Sequence, residues 1–417
     1  MYLENNEENY KIDTSKDNEK FILSSIFFKK YKPIKKLDKG SFSVIYEGKN
    51  IETDEKIALK IEPKNKFNFL KSEASYLYIL RKGPGIPKII SFGITKNYNI
   101  LIEPLLGKNL YSLFIENNKQ FTIKDICLIS LQCITQFEFI HSKGVIHCDI
   151  KPENYAIGEK DKRIIYLFDF GLSKKYRSDR TKNHIQFKLT KTMTGTARYA
   201  SRNCLSGEEL SRRDDLESFC YTILYFMTKK LPWQGIKAKT MTERYRKIYI
   251  EKMNLEKWEK FEDIPLQIQN FIIYCRNLKF TQDPNYKLMK LFFKNLMREE
   301  YLDNDKNFSW IKDKSILSNK LEEEYISKKY YSINELFNKL KKSSTNFNSI
   351  NIINNYENKK IKKIKKHKFK SIYQKQDIKD NYGKDDNNND THSVSSIYNN
   401  KIDEIDDKLV ENEEDEK

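Results

Sequence analysis

The segment HCDIKPEN spans 147–154, and the aspartate of FDFG follows at 169, twenty residues after Asp149. A fold that holds this chain has to gather two carboxylates, a lysine and an amide into one cleft. Asp149 and Asp169 repel when pressed together and need a counter-ion. Asn154 adds a neutral oxygen. A few oxygen ligands of this kind suit Mg²⁺, which takes further ligands from substrate phosphates. Lys151 places a cation where a transferring phosphoryl group accumulates charge. Asp149 can accept a hydrogen bond from an attacking hydroxyl and orient it. A metal clamp, a cation and an oriented nucleophile are the parts that phosphoryl transfer needs. Loop residues that merely cap helices would explain any one of these positions, but not the whole set in this order.

The surrounding chain supplies a setting for such a cleft. VIYEG and KIALKIE, within 31–63, are short β-rich runs on either side of a turn. Residues 68–82 carry apolar side chains at helical spacing and stop at GPG, 83–85. Residues 88–105 read as two more strands, which makes a first lobe of five strands and one helix. After 107–110 the pattern turns helical, over 110–118, 122–143, 214–229, 240–252, 265–277 and 286–298. The class is α+β, with the cleft between a β-rich and a helical lobe as the ligand site. Upstream, LDKGSFSVIYEG at 37–48 is a strand-turn-strand with small residues at its turn. Lys60 follows it, and Glu73 lies on the next helix to hold Lys60.

Composition adds limits. The chain has 417 residues and a net charge of +18, a balance that favours polyanions: nucleic acid, acidic lipid, or acidic and phosphorylated proteins. A lysine-rich composition with no such partner explains it equally well. The six cysteines form no C-x-x-C pair and have no His at zinc spacing, so reduced, buried thiols are expected. The stretch 123–141 is the most apolar, yet it holds Asp125, Gln132, Gln136 and Glu138 and reads as a buried helix, with no membrane span. The N-terminus has no apolar signal core, and Tyr2 excludes N-myristoylation. The expectation is a cytoplasmic protein, with nuclear import through the basic run 359–370 as a second option. Beyond Trp310 the apolar pattern thins to one candidate helix over 322–342, the basic run and an acidic end, a composition that favours disorder.

Taken in order, these motifs resemble those of a eukaryotic protein kinase and, more narrowly, of the casein kinase 1 family. The narrower likeness rests on GLSKKYR (171–177), LTKTMTGTARYASRN (189–203), SRRDDLESFCYTILYFMTKKLPWQGIKAKT (211–240) and YCRNLKFTQDPNYKLMKLFFKNLM (274–297), with Ser201, Arg202 and Asn203 where most kinases carry Ala-Pro-Glu. The resemblance implies a bilobal protein-kinase-like fold: an N-terminal extension 1–29, a kinase domain 30–312 with its N-lobe at 30–103 and C-lobe at 107–312, and a disordered tail 313–417. It implies ATP and Mg²⁺ as cofactors. Lys60, paired with Glu73, would meet the donor's α/β-phosphates. Asp149 would be the base, Lys151 the transition-state cation, and Asn154 and Asp169 the metal ligands. Lys151 with Thr196 is similar to the pairing of Ser/Thr kinases, and Asp215 would brace the catalytic loop. Leu37, Gly40, Ser41, Val44, Ala58, Glu103 and Leu106 would line the nucleotide pocket, with the hinge at 102–107. Arg198, Lys237 and Lys239, joined by Lys174 and Lys175, would favour protein substrates with acidic or phosphorylated segments. A monomer is expected, with no membrane span and no sequence-specific nucleic acid.

Three departures stand out. The phosphate loop of the family reads G-x-G-x-x-G, and here those places hold Asp38, Gly40 and Ser43. Asp can visit left-handed angles and Ser is small, so looser nucleotide binding is expected, not none. Cys148 replaces an arginine that commonly meets a phosphate on the activation segment, so activity should not need phosphorylation there. Glu103 and Pro104 stand at the back of the nucleotide pocket, where a buried glutamate is costly without a partner. The alternative is a catalytically impaired kinase fold used as a binding scaffold. Scaffolds tend to lose one of Lys60, Asp149, Asn154 and Asp169, and all four are present. A nucleic-acid binder would rest on charge alone, without a readout motif.

Overall fold

The structure, a computed structural model, describes residues 16–311 apart from 41, 65–67, 191–192, 303–304 and 306. Ser41 therefore lies outside the described residues. So do the candidate helix at 322–342, the basic run and the tail expected to be disordered.

Alternation of β-branched and aromatic residues with polar ones gives each early strand two distinct faces. The first element, α1 (Lys16–Ser24), precedes them, and the strands are β1 (Tyr31–Lys39), β2 (Val44–Asn50), β3 (Lys56–Pro63), β4 (Ser91–Ile94) and β5 (Tyr98–Pro104). They form one antiparallel sheet in the order β1-β2-β3-β5-β4. One face carries Tyr31, Val44, Tyr46, Leu59, Ile61, Ile100 and Ile102, clustered with Ile22 of α1 and with Phe27. The sequence pattern gave no sign of α1, whose apolar residues are too few for a clear stripe.

The other face meets α2 (Phe69–Leu80). Leu70, Ala74 and Leu77 recur at helical spacing and are buried together with Leu101. Glu73, three residues after Leu70, lies on the same buried stripe, so the helix turns its carboxyl toward the sheet. No side chain at the N-cap closes α2. Both carboxylate oxygens of Glu62, on β3, accept from the Leu70 N–H at 3.3 Å. That satisfies a donor which the helix cannot satisfy itself.

Past the hinge come β6 (Leu106–Asn109), α3 (Leu110–Glu116), α4 (Ile123–Ser142), β7 (Val145–Ile146), β8 (Tyr155–Gly158), β9 (Ile165–Leu167) and β10 (Lys174–Lys175). Then follow α5 (Arg202–Leu205), α6 (Arg212–Thr228), α7 (Met241–Met253), α8 (Leu266–Arg276) and α9 (Tyr286–Glu299). The long helices begin and end within a few residues of their expected bounds. A capping box of Thr122 with Asp125 starts α4, and at the start of α6 the Asp214 carboxylate accepts from the Ser211 N–H at 2.7 Å. Nearly every residue of α6 is buried, as befits a helix surrounded by its lobe. Small sheets, β6-β8-β9 and β7-β10, frame the loop at 147–154. Among the described residues no helix is long and apolar enough to cross a membrane.

Candidate active site

Directly opposed residues of a sheet point to the same face. Lys60 opposes Ile45 on β2 and Leu101 on β5, so it leaves the sheet on the side of α2. Its Nζ donates to Glu73 Oε1 at 3.0 Å and Oε2 at 2.7 Å, and to Asp169 Oδ1, beyond β9, at 2.7 Å. Burial disfavours the ammonium, yet Asp169 and Glu73 together raise its pKa above the lysine norm. Burial also opposes the charge on Asp169, but Lys60 outweighs it and holds that carboxyl at about 2. For Glu73, burial pushes the carboxyl up and Lys60 pulls it back.

The loop at 147–154 is fixed from beneath. Asp215, near the start of α6, accepts from the His147 N–H at 2.8 Å and the Cys148 N–H at 2.9 Å. Cys148 stands at φ 70°, a left-handed conformation that a non-glycine residue holds only when its surroundings impose it. The two bonds to Asp215 supply that constraint. His141 of α4 bridges Asp215 Oδ2, 3.0 Å from Nε2, and the Tyr286 hydroxyl, 2.7 Å from Nδ1. The His147 ring donates from Nε2 to the Phe168 carbonyl at 3.0 Å, leaving Nδ1 to accept the Asp149 N–H at 3.3 Å. The loop is thereby tied to the strand that leads to Asp169.

Asp149 is engaged on both oxygens. Oδ1 accepts from the Thr196 N–H at 3.0 Å and the Thr196 hydroxyl at 2.9 Å. Oδ2 lies 3.0 Å from Lys151 Nζ, which also donates to Thr196 Oγ1 at 3.2 Å. Gly195 makes this approach possible: at φ 83°, a Cβ there would stand 2.6 Å from the Cys148 carbonyl and 3.0 Å from Asp149 Oδ1. Asn154 turns its amide nitrogen to the Asp149 carbonyl at 2.8 Å, so its Oδ1 is the atom left for a metal. The donor set is one amide oxygen and the Asp169 carboxylate. Among the described residues no group of three His, Cys, Asp or Glu is placed to hold a metal. Two hard oxygens fit a small divalent ion that completes its shell with water and phosphates.

The remaining expected residues divide. Ala58 opposes Glu103, and both lie on the Lys60 face, half-buried. Leu106 is half-buried at the start of β6, and Leu37 sits in the bulge of β1 between Lys36 and Asp38. The Gly40 N–H donates to the Ser43 carbonyl at 2.9 Å. Val44 is a correction. It opposes Ile61 and belongs to the apolar cluster on the far face, because the register assigns the cleft face to Ile45. Asp38 is a second correction. It takes no left-handed angle but pairs with Ile45 as part of β1. Arg198 lies close enough to Glu153 to oppose, with Lys151, the burial that raises that carboxyl. Its carbonyl accepts from Trp233 Nε1 at 2.7 Å. Lys237 and Lys239 are exposed and make local contacts, the first accepting at its carbonyl from Lys247 and the second donating its N–H to Glu243. Lys174 and Lys188 both pair with Glu209.

Sequence reasoning missed His141 and Ile45. A histidine on an apolar helix signals that something polar must meet it, but not what. The face of Ile45 depends on register, which neither residue announces.

A comparison with protein families finds a match to the protein kinase domain over residues 31–302, a stretch that contains the sheet, the loop at 147–154 and the helices beneath it. That match covers well over half of the sequence, and the chain belongs to the protein kinase family.

Proposed function

We propose that this kinase is an active serine/threonine protein kinase of casein kinase 1 type, transferring the γ-phosphoryl group of Mg²⁺-ATP to Ser or Thr near acidic or phosphorylated residues. Kinase domains use ATP and a divalent metal and act on proteins. The observation that carries the reading is the contact of Lys60 with both Glu73 and Asp169 at 2.7–3.0 Å. A scaffold has no need to bring one ammonium and two carboxyl groups together in this way. Lys60 would meet the donor phosphates, and Asn154 and Asp169 would hold the metal, whose chemistry is to neutralise phosphate charge. Asp149 would take the hydrogen bond of the acceptor hydroxyl, its own carboxylate oriented by Thr196 and Lys151. The Lys151–Thr196 bond favours Ser/Thr acceptors, and Arg198 favours an anion close to the acceptor. We place the protein in the cytoplasm, with the nucleus as the second option.

The test is Asp149→Asn. Phosphorylation of an acidic, casein-like protein should fall at least about a hundredfold with thermal stability retained. Equal rates in mutant and wild type would remove the assignment of the base. Nucleotide binding by a wild-type protein that transfers nothing would favour the scaffold.

A further inference from the structure

Lys252, on α7, is fully buried, and neither the catalytic loop nor the nucleotide contacts described above use it. Its Nζ donates to the carbonyls of Ala197 at 2.9 Å and Ala200 at 2.6 Å. The rings of Tyr221 and Trp233 cover it, with centroids 4.6 and 4.8 Å from the nitrogen. Buried lysines ordinarily meet a carboxylate. This one bonds to two backbone carbonyls and lies against two ring faces, with the Glu217 charge nearby but not in direct contact, and those carbonyls bracket Arg198. Trp233 supplies the carbonyl between them with its own donor, Nε1 to Arg198 at 2.7 Å. Upstream, Thr196 is bonded to Asp149 through both its N–H and its hydroxyl. Downstream, Ser201 Oγ donates to Asp214 at 2.7 Å. The backbone from 196 to 201 is therefore held between the catalytic base on one side and the Lys252 cage on the other.

We infer that Lys252, with Trp233, is a positioning residue that sets Arg198 at its distance from Asp149, and so sets how far an anion on the substrate lies from the hydroxyl that is phosphorylated. The inference rests on the proposed anion-recognising role of Arg198. The ammonium gains from the carbonyls and the ring faces, while burial pulls its pKa down to about 7. Arg276 steadies the cage, donating to the Lys252 carbonyl at 2.8 Å and to the Tyr221 hydroxyl at 3.3 Å.

Full-length Lys252→Met and Trp233→Phe are compared with wild type on two peptides, one plain and one with a phosphoserine upstream of the acceptor. KM and kcat for each peptide, KM for ATP and the melting temperature are measured. A displaced Arg198 should raise KM for the phosphorylated peptide about tenfold in Lys252→Met and less in Trp233→Phe, against about threefold or less for the plain peptide, with KM for ATP within about twofold. A merely structural role would lower the melting temperature and reduce kcat on both peptides alike. An unchanged ratio of the two KM values in the variants overturns the inference, and Trp233→Phe decides if Lys252→Met does not fold. Wild type is assayed first. Failure to phosphorylate either peptide removes the proposed function and this inference with it, whereas equal use of the two removes the Arg198 pocket and, again, the inference.

Discussion

A carboxyl group at position 103 shares a face with Ala58 and Lys60, inside the pocket where the nucleotide is proposed to lie. Burial pushes it up to about 8, and the neighbouring Glu73 charge adds to the effect more than Lys60 subtracts. Near pH 7 it is thus largely neutral. The folded state holds a proton that the unfolded chain releases near 4.5, the ordinary value, so this group contributes stability at low pH that is lost as pH rises from about 4.5 through about 8. Glu103→Gln keeps the shape and the neutrality. Its denaturation midpoint should hold up across that window where the wild-type midpoint declines, and parallel curves would refute the assignment. The grouping of Lys60 with Asp169 and of Asp149 with Asn154 was legible because a whole motif carried it. A face was not legible where one register step decides it, since a slip of one residue exchanges Val44 for Ile45. Nor did Lys252 declare itself. Its only sign is a place four residues after buried Ile248 on α7, and a lysine there ordinarily reaches solvent.

At the scale of elements, α2 owes its position to β3 twice. Glu62 holds its first turn through Leu70, and Lys60 holds its middle through Glu73. Glu62 is fully buried and also accepts from Asn99 Nδ2 at 2.9 Å. Glu62→Ala leaves the buried Leu70 N–H without its acceptor and the Asn99 amide with Asn68 alone, and should cost about 2 kcal/mol, read as a lower denaturant midpoint. It should also raise KM for ATP, because Glu73 loses its fixed approach to Lys60. A normal KM with lowered stability would confine Glu62 to packing. The helices themselves were legible because apolar spacing persists over many turns and polar caps close them. α1 was not, because its one deeply buried side chain, Ile22, draws its meaning from a sheet that lies later in the chain.

At the scale of the whole molecule, the lobes differ in how their cores are filled. The larger core runs from α2 through α4, α6, α8 and α9 and reaches Phe308. Its polar thread, Tyr286 to His141 to Asp215, connects α9 with the loop that bears Asp149. The two-lobed plan was readable from the change of period after residue 107, while this thread joins residues far apart in sequence and carries no local signal. The smaller core is a thin layer between the sheet and α1. A recombinant fragment cut at the boundaries of the family match, 31–302, would discard Ile22 and Phe27 and bare Tyr31, Tyr46 and Leu59 to water. An uncovered apolar area of that kind invites self-association. Such a fragment should elute as soluble aggregate in size-exclusion chromatography, whereas one that begins at residue 16 should not.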